Sequence, residues 1–162
     1  MKSFRQFNEA KMKTLYVHRP LKNGDDLKDW AKDHLGCETL QADDMHVTIA
    51  NSKAELDWSQ FKPKDDEIEI AVEGLIPQPL GDKGAVVLKF VSDELEARWQ
   101  EFLDDGASWD YEGYQPHVTL TYKYEGDLET LGEIGSFSGV FVLGPEKFGE
   151  VDLEWTEKIK ED

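Results

Sequence analysis

Two closely similar tetrapeptides carry the residues that point most directly to chemistry: His-Val-Thr-Ile at 46–49 and His-Val-Thr-Leu at 117–120. In an extended strand successive side chains point to opposite faces, so each copy would place His and Thr on one side and two apolar residues on the other. If the two strands face each other, two imidazoles and two hydroxyls converge. A His pair suits phosphoryl transfer without a metal, because near neutral pH one neutral ring can accept a proton while one charged ring donates a proton.

The two copies would divide the acid and base work. One of His46 and His117 would deprotonate the attacking oxygen and the other would protonate the leaving oxygen, and the sequence leaves open which does which. Thr48 and Thr119, two residues further along the same faces, would donate hydrogen bonds to the non-bridging phosphate oxygens. The four histidines and the nearby carboxylates form no pattern with metal-ligand spacing, so we expect neither a metal nor another cofactor.

Length and composition predict one folded domain outside the membrane. The chain has 162 residues, of which 39% are hydrophobic, enough for one substantial core. No apolar run approaches the roughly 20 residues that span a bilayer, and the first ten residues lack a secretory signal. We therefore expect a soluble, cytoplasmic protein. Cys37 is the single cysteine, which excludes a disulfide within the chain and a zinc site built on several cysteines.

The net charge bears on the choice of ligand. A formal charge of −17 at pH 7 would repel a long polyphosphate backbone unless a local basic patch intervened. A small nucleotide enclosed in a pocket therefore fits this chain better than duplex DNA or long RNA.

The hydrophobic pattern predicts one unit written twice, in the order strand, helix, His-containing strand, strand. In the first half these are residues 14–17, 25–35, the His46 strand and 67–73; in the second half they are 85–91, 93–103, the His117 strand and 137–143. The spacings agree as well. From Leu15 to His46 is 31 positions and from Val87 to His117 is 30.

This duplication predicts an α+β fold of two pseudo-symmetric lobes, each an antiparallel sheet with a helix, around a central cleft. We expect a single domain over residues 14–156, with one lobe at about 14–84 and the other at 85–149. A last strand at 150–155 alternates cleanly and would return to the sheet of the first lobe. Residues 1–13 would form a leader or docking segment, and residues 157–162 a charged tail.

Aromatic and acidic residues near the strands could grip a nucleobase. Tyr16 lies between Leu15 and Val17, so it points to the cleft if those two point into the core. Stacking there would contribute about 1–3 kcal/mol per base, unless Tyr16 only fills a sheet face. Trp155 could form the other side of a base sandwich, or belong to the core. Glu150 could accept a hydrogen bond from an exocyclic amino group, or lie on a solvated edge.

The loop before His117 is the last candidate element. It contains Trp109, Tyr111 and Tyr114 together with glycine. Such a loop could be a lid over the substrate, and it could equally be packing under a long connection.

The two His-x-Thr-x motifs, each in a repeated α/β lobe, resemble those of the two-histidine (2H) phosphoesterase superfamily over about residues 14–156. Within it, the stretch from residues 15–17 through 152–155 looks most like the phage anti-CBASS nucleases, which degrade the cyclic oligonucleotide signals of bacterial immunity. The resemblance implies a metal-independent phosphodiesterase in which His46 and His117 supply base and acid, and Thr48 and Thr119 hold the phosphate.

The resemblance also implies a reaction course and a substrate grip. For a 3′–5′ linkage the ribose 2′-hydroxyl would attack, giving a 2′,3′-cyclic phosphate that water then opens. Tyr16 and Trp155 would stack on bases, with Glu150 near one of them. The N-terminal residues 1–10 are similar to capsid-targeting segments of large tailed phages, so the protein could be packaged in a virion. If it is encoded by a phage, it would act in the host cytoplasm.

Two other functions stay open from the sequence. One is a 2′,3′-cyclic phosphodiesterase acting on RNA ends or small nucleotides. A basic groove would favour this function, but the sequence shows none, because lysines such as Lys53, Lys89 and Lys123 are dispersed among acids. A non-catalytic protein could sequester a nucleotide or act as an acidic virion component. Base preference, ring size and oligomeric state are beyond the sequence.

Overall fold

The computed structural model describes residues 12–151. Over this range the elements follow in the order β1 (Met12–Pro20), α1 (Gly24–Leu35), β2 (His46–Asp57), β3 (Ile68–Leu75), β4 (Gln78–Leu80), β5 (Ala85–Lys89), α2 (Asp93–Asp104), β6 (His117–Thr121), β7 (Phe137–Leu143) and β8 (Lys147–Gly149). The predicted unit of strand, helix, His strand and strand thus appears twice, as β1-α1-β2-β3 and as β5-α2-β6-β7.

Each His strand pairs antiparallel with the first strand of its own half. One sheet has the order β2-β1-β8 and another the order β4-β5-β6, while β3 and β7 form a separate two-stranded ladder. The registers match, since His46 lies opposite Pro20 at the end of β1 and His117 lies opposite Lys89 at the end of β5. The β3–β7 ladder joins the two halves, because one strand comes from each.

Within the described residues, the strand that returns to β1 lies before the range predicted for it. It is β8, Lys147–Gly149, which pairs with β1, whereas Glu150 and Val151 lie outside any strand and residues 152–155 lie outside the described range. Alternation alone fixes neither the start nor the register of a strand, and here pairing begins directly after the buried Glu146.

The sheets also divide the chain differently from the predicted lobes. The strand β4 forms an edge of the second-half sheet, so the expected boundary after residue 84 falls inside the β4–β5 hairpin. Of the expected leader, residues 12 and 13 belong to β1 and the others lie outside the described residues, as does the expected tail.

Both helices start and stop for local reasons. Helix α1 ends at Gly36, whose φ of 64° suits glycine and whose amide donates to the Lys32 carbonyl at 3.2 Å. Helix α2 begins after Ser92, whose hydroxyl accepts from the Leu95 amide at 3.2 Å. Their buried faces join one core with the sheets, through Leu27, Ala31 and Leu35 of α1 and Leu95 and Phe102 of α2. Neither helix has the length and apolar character that crossing a membrane requires.

Candidate active site

Both His-x-Thr motifs line one cavity of about 710 Å³. In β2 the alternation is as predicted, because Val47 and Ile49 are fully buried in the core while His46 and Thr48 face the cavity. In β6 the alternate residues Val118 and Leu120 are fully buried in the same way. The structure thus brings the four predicted residues to a shared space.

A β-bulge follows each motif at the same position. The pairing of β2 on β1 skips Ile49, and the pairing of β6 on β5 skips Leu120, in each case the third residue after the motif His. A bulge inserts one residue and so resets which face the later side chains take. The fifth residue after each His, Asn51 in one half and Tyr122 in the other, therefore lines the cavity as well. Strict alternation places neither side chain on the cavity face, so the sequence pattern did not predict them.

The two motif imidazoles are held by the same local contact. The Nδ1 of His46 lies 2.8 Å from the Asp44 carbonyl, and the Nδ1 of His117 lies 3.0 Å from the Gln115 carbonyl. A carbonyl oxygen only accepts, so each Nδ1 carries a hydrogen and donates it. Nε2 is therefore the ring atom of each imidazole that can take up or release a proton.

Surroundings lower the pKa of His117. Desolvation in the cleft is the largest cause, because it disfavours the charged ring. The hydrogen bond from Nδ1–H to the Gln115 carbonyl opposes this lowering, and the nearby positive charges of Lys89 and His46 add to it. His117 is therefore neutral near pH 7. With Nδ1 protonated, its Nε2 is a free acceptor for a proton.

The Tyr16 side chain connects the other imidazole to its threonine. Leu15 and Val17 are fully buried, so Tyr16 points to the cavity as predicted. Its hydroxyl lies 2.9 Å from Nε2 of His46 and 2.8 Å from Oγ1 of Thr48. Burial raises the pKa of Tyr16 to about 12, so it stays a neutral phenol at physiological pH.

The second half has a related contact. The Tyr122 side chain hydrogen bonds to Thr119, and burial raises the pKa of Tyr122. Each motif threonine therefore contacts a tyrosine hydroxyl, Tyr16 from β1 in one half and Tyr122 from beyond the β6 bulge in the other.

A third imidazole lies beside the first motif. The His18 ring centroid is 5.2 Å from that of His46 and 5.3 Å from that of Tyr16. Burial, with the nearby charges of His46 and Lys147, lowers the pKa of His18 to about 4. Its Nδ1 is buried, with no hydrogen-bond partner in the described structure. The sequence did signal this neighbour, since His18 follows Tyr16 by two residues on one strand and so shares its face.

Two lysines bring positive charge to the cavity of this acidic protein. Lys89 lies opposite His117 in the β5–β6 pairing, and Lys147 lies opposite His18 in the β1–β8 pairing. Both line the cavity, and neither forms an ion pair with another residue of the range 12–151. In the sequence Lys89 looked like one of several dispersed lysines, because strand pairing, and not proximity along the chain, places it at the site.

The remaining predicted substrate residues have different outcomes. Glu150 is exposed and lines the cavity, next to Gly149, which pairs with Tyr16. Trp155 lies outside the described residues.

The loop before His117 forms one wall of the cavity and is also anchored by packing. Tyr114 lines the cavity, donates its hydroxyl to the Thr48 carbonyl at 2.7 Å, and stacks on Trp99 with ring centroids 5.5 Å apart. The Ser108 hydroxyl accepts from the Lys53 and Ala54 amides of β2 at 2.8 and 3.1 Å. The loop thus combines features of both alternatives considered from the sequence.

Within residues 12–151 no three His, Cys, Asp or Glu side chains are grouped so as to hold a metal ion. The expectation that catalysis needs no metal stays a prediction. Cys37 is half-buried and free, with its Sγ 3.9 Å from the Thr121 hydroxyl.

Sequence comparison finds similarity over nearly the whole chain. The family model described as anti-CBASS protein Acb1 matches residues 13–158. Proteins of that name are 43% identical over 162 residues in Caulobacter sp. (strain RHG1), covering 97% of this chain and 26% of that one, and 40% identical over 154 residues in Sphingomonas paeninsulae, covering 91% and 24%. One from Escherichia phage RB16 is 30% identical over 89 residues, covering 54% and 50%. The chain spans about a quarter of the length of the first two relatives.

Solved structures share the fold at low sequence identity. A phosphoesterase crystal structure aligns with a TM-score of 0.56 and 13% identity, over 85% of this chain and 87% of that one. Escherichia coli LigT complexed with 3′-AMP aligns with a TM-score of 0.55 and 13% identity, over 87% and 96%. The LigT complex with NADP+ also has a TM-score of 0.55 and 13% identity, over 86% and 98%. These likenesses confirm the predicted fold class.

Proposed function

Because the chain belongs to the family of anti-CBASS protein Acb1, we propose that it hydrolyses the 3′–5′ bonds of cyclic di- or trinucleotides, the signals of bacterial CBASS immunity. The observation that carries this proposal is the pair of motif imidazoles that line one cavity with both Nδ1 atoms fixed by main-chain carbonyls. Such a pair can exchange protons on two sides of one phosphate without a metal. The protein would act in the cytoplasm of an infected bacterium.

We assign the two proton transfers from the different surroundings of the two imidazoles. His117, neutral and with Nε2 free, removes the proton of the ribose 2′-hydroxyl. The 2′-oxygen attacks the phosphorus, the bond from phosphorus to the 5′-oxygen breaks, and charged His46 gives that oxygen its proton. The product is a linear nucleotide with a 2′,3′-cyclic phosphate and a free 5′-hydroxyl. Water then opens the cyclic phosphate with the roles of the two imidazoles exchanged.

Hydroxyls and lysines stabilise the charge on the phosphate. Thr48 and Thr119 donate to its non-bridging oxygens, where charge grows as the transition state forms. Lys89 and Lys147 offset the acidity of the chain at this one place, and they offer cations to the other phosphates of a cyclic oligonucleotide. This arrangement supports a small substrate with several phosphates, and the LigT structures complexed with 3′-AMP and NADP+ show small nucleotides on the same fold.

Residues that line the same cavity could also contact the bases of the substrate. The Tyr16 ring lines the cavity and would stack on one base, with exposed Glu150 near its exocyclic groups. Trp155 would supply the opposite face of that sandwich. These three assignments complete the proposal for the substrate grip.

The test is incubation of the purified protein with a panel of cyclic di- and trinucleotides and 2′,3′-cyclic AMP, all in EDTA. We expect linear products that end in a 2′,3′-cyclic phosphate or a phosphate monoester, and none from a variant with both motif histidines changed to alanine. Turnover of 2′,3′-cyclic AMP alone would favour the RNA-end phosphodiesterase. Tight binding of cyclic nucleotides with no turnover would identify sequestration, and either result would contradict the proposal.

A further inference from the structure

The hydroxyl of Tyr16 lies between the two groups of the first motif, and its single proton can serve only one of them. Its oxygen is 2.9 Å from Nε2 of His46 and 2.8 Å from Oγ1 of Thr48. Both distances are those of hydrogen bonds, so one hydrogen must lie in each gap. How those hydrogens are shared depends on the protonation state of the imidazole.

With His46 neutral, the threonine proton is occupied. Nδ1 keeps its hydrogen for the Asp44 carbonyl, so Nε2 is bare and accepts the phenol proton of Tyr16. The phenol has no second hydrogen, so the 2.8 Å gap to Thr48 is filled by the threonine proton. In this state Thr48 has no hydrogen to give to a phosphate.

With His46 charged, the chain is free to reverse, because Nε2 now carries a hydrogen and no longer takes that of the phenol. Nε2 donates to the phenol oxygen, the phenol donates to Oγ1 of Thr48, and the threonine proton is released toward the cavity. Burial keeps Tyr16 a neutral phenol, so its one proton is always present to be redirected.

We propose that the Tyr16 hydroxyl is a positioning residue that makes Thr48 a phosphate donor only while His46 holds the proton for the leaving group. This inference rests on the proposed phosphodiesterase function and adds a task to Tyr16 beyond stacking on a base. The proton that passes to the leaving 5′-oxygen is the one on Nε2, which turns from the phenol oxygen to that leaving oxygen. The bare Nε2 then accepts the phenol proton, and Thr48 again donates to the phenol. The grip on the product phosphate is thereby loosened at the end of the step.

The substitution Tyr16→Phe separates the two tasks of this residue, because the ring stays and the hydroxyl is lost. We expect kcat on a cyclic dinucleotide to fall roughly 10-fold or more while KM changes little, since the lost hydrogen bonds act on a charged group. The matched control is Tyr124→Phe, which removes a tyrosine hydroxyl that does not line the cavity; it should leave both constants unchanged.

A double-mutant cycle with Thr48→Val tests whether Tyr16 acts through Thr48. In the Thr48→Val background, Tyr16→Phe should cost almost nothing further, because the donor it positions is already gone. An equal loss in both backgrounds, or a rise in KM with kcat unchanged, would overturn the inference. If the unsubstituted protein turned over no cyclic nucleotide, the proposed function would fail separately.

A second measurement does not depend on turnover: the parent, the two single variants and the double variant are each titrated with 3′-AMP. The phosphate monoester of 3′-AMP carries more negative charge than the diester substrate, so it depends more on the Thr48 donor. Tyr16→Phe should therefore weaken 3′-AMP binding several-fold in the parent, although KM for the diester changes little, and leave it unchanged in the Thr48→Val background. Equal weakening in both backgrounds, or none in either, would overturn the role assigned to the hydroxyl.

Discussion

His46 and His117 are equivalent in main-chain contact and different in surroundings. Each donates its Nδ1 proton to the carbonyl two residues earlier, at 2.8 and 3.0 Å. Yet Nε2 of His46 is hydrogen bonded to Tyr16, whereas His117 has its pKa lowered by desolvation. A duplicated unit has thus produced two imidazoles with different hydrogen-bond partners and electrostatic surroundings, and this difference is the basis of the distinct tasks we propose.

Replacing either imidazole should lower kcat strongly and change the affinity for substrate little. Each positioned proton transfer contributes about 10²–10⁴-fold, so we expect His46→Ala and His117→Ala each to lower kcat by that order. Affinity for the cyclic dinucleotide should change far less, because the imidazoles act mainly as the transition state forms. Single-turnover rates and equilibrium binding of the two variants check this. Near-normal kcat in either variant would contradict the acid and base assignment.

The acidic limb of the pH profile reports on His117. A base must be neutral to act, and the pKa of His117 is lowered, so activity should be retained below the usual histidine range near pH 6.5 and fall only at lower pH. Lys89 contributes to that lowering by its charge, so Lys89→Met should move the limb in kcat/KM to higher pH. A limb that stays in place would show that Lys89 does not act on the base.

Lys147 should distinguish substrates by their number of phosphates. If it faces a phosphate other than the one being cleaved, Lys147→Gln should raise KM for a cyclic dinucleotide a few-fold, roughly the effect of an exposed ion pair. The KM for 2′,3′-cyclic AMP, which has one phosphate, should change less. Lys28→Gln, on the exposed face of α1, is the matched control for loss of one positive charge. An equal rise for both substrates would place Lys147 at the reacting phosphate instead.

A buried ion pair between Arg98 and Glu146 lies directly before β8. Glu146, whose side chain is fully buried, accepts from Arg98 Nε and from the Lys64 amide, both at 2.9 Å. Removing Glu146 leaves the largely buried Arg98 guanidinium with only the exposed Glu101 carboxylate as an ion-pair partner, so Glu146→Ala should lower the free energy of unfolding by about 3–5 kcal/mol. Glu101→Ala, which removes the exposed partner of the same arginine, should cost about 0–1 kcal/mol. Urea denaturation measures both, and equal losses would contradict the role given to burial.

Patterns of period two and 3.6 were sufficient to predict most of the fold. Both helices, the motif strands and β7 lie where the hydrophobic pattern indicates, and the repeat was visible as equal spacing before His46 and His117. The pairing of β4 with β5 and the position of β8 were not predictable in this way. Which strands become neighbours is decided by tertiary packing, which alternation within one strand does not encode.

The site shows the same division between local and non-local information. The His and Thr residues of both motifs follow from alternation, as does the cavity side of Tyr16. Asn51 and Tyr122 enter the cavity only because a bulge shifts the alternation, and Lys89 enters through its pairing with β6. The contact of Tyr16 with His46 required knowing how close β1 and β2 bring two side chains that are 30 positions apart in the chain.

The ladder between β3 and β7 has a consequence for how the two halves can move and be divided. Each of these strands finds its ladder partner, within the described range, in the opposite half. Cutting the chain at its repeat boundary would therefore leave β3 and β7 each without its ladder partner, with unpaired main-chain N–H and C=O groups. We therefore expect neither half to be stable alone. Moving the two halves apart at this ladder would require breaking main-chain hydrogen bonds, so the β3–β7 pairing restricts how far they can separate.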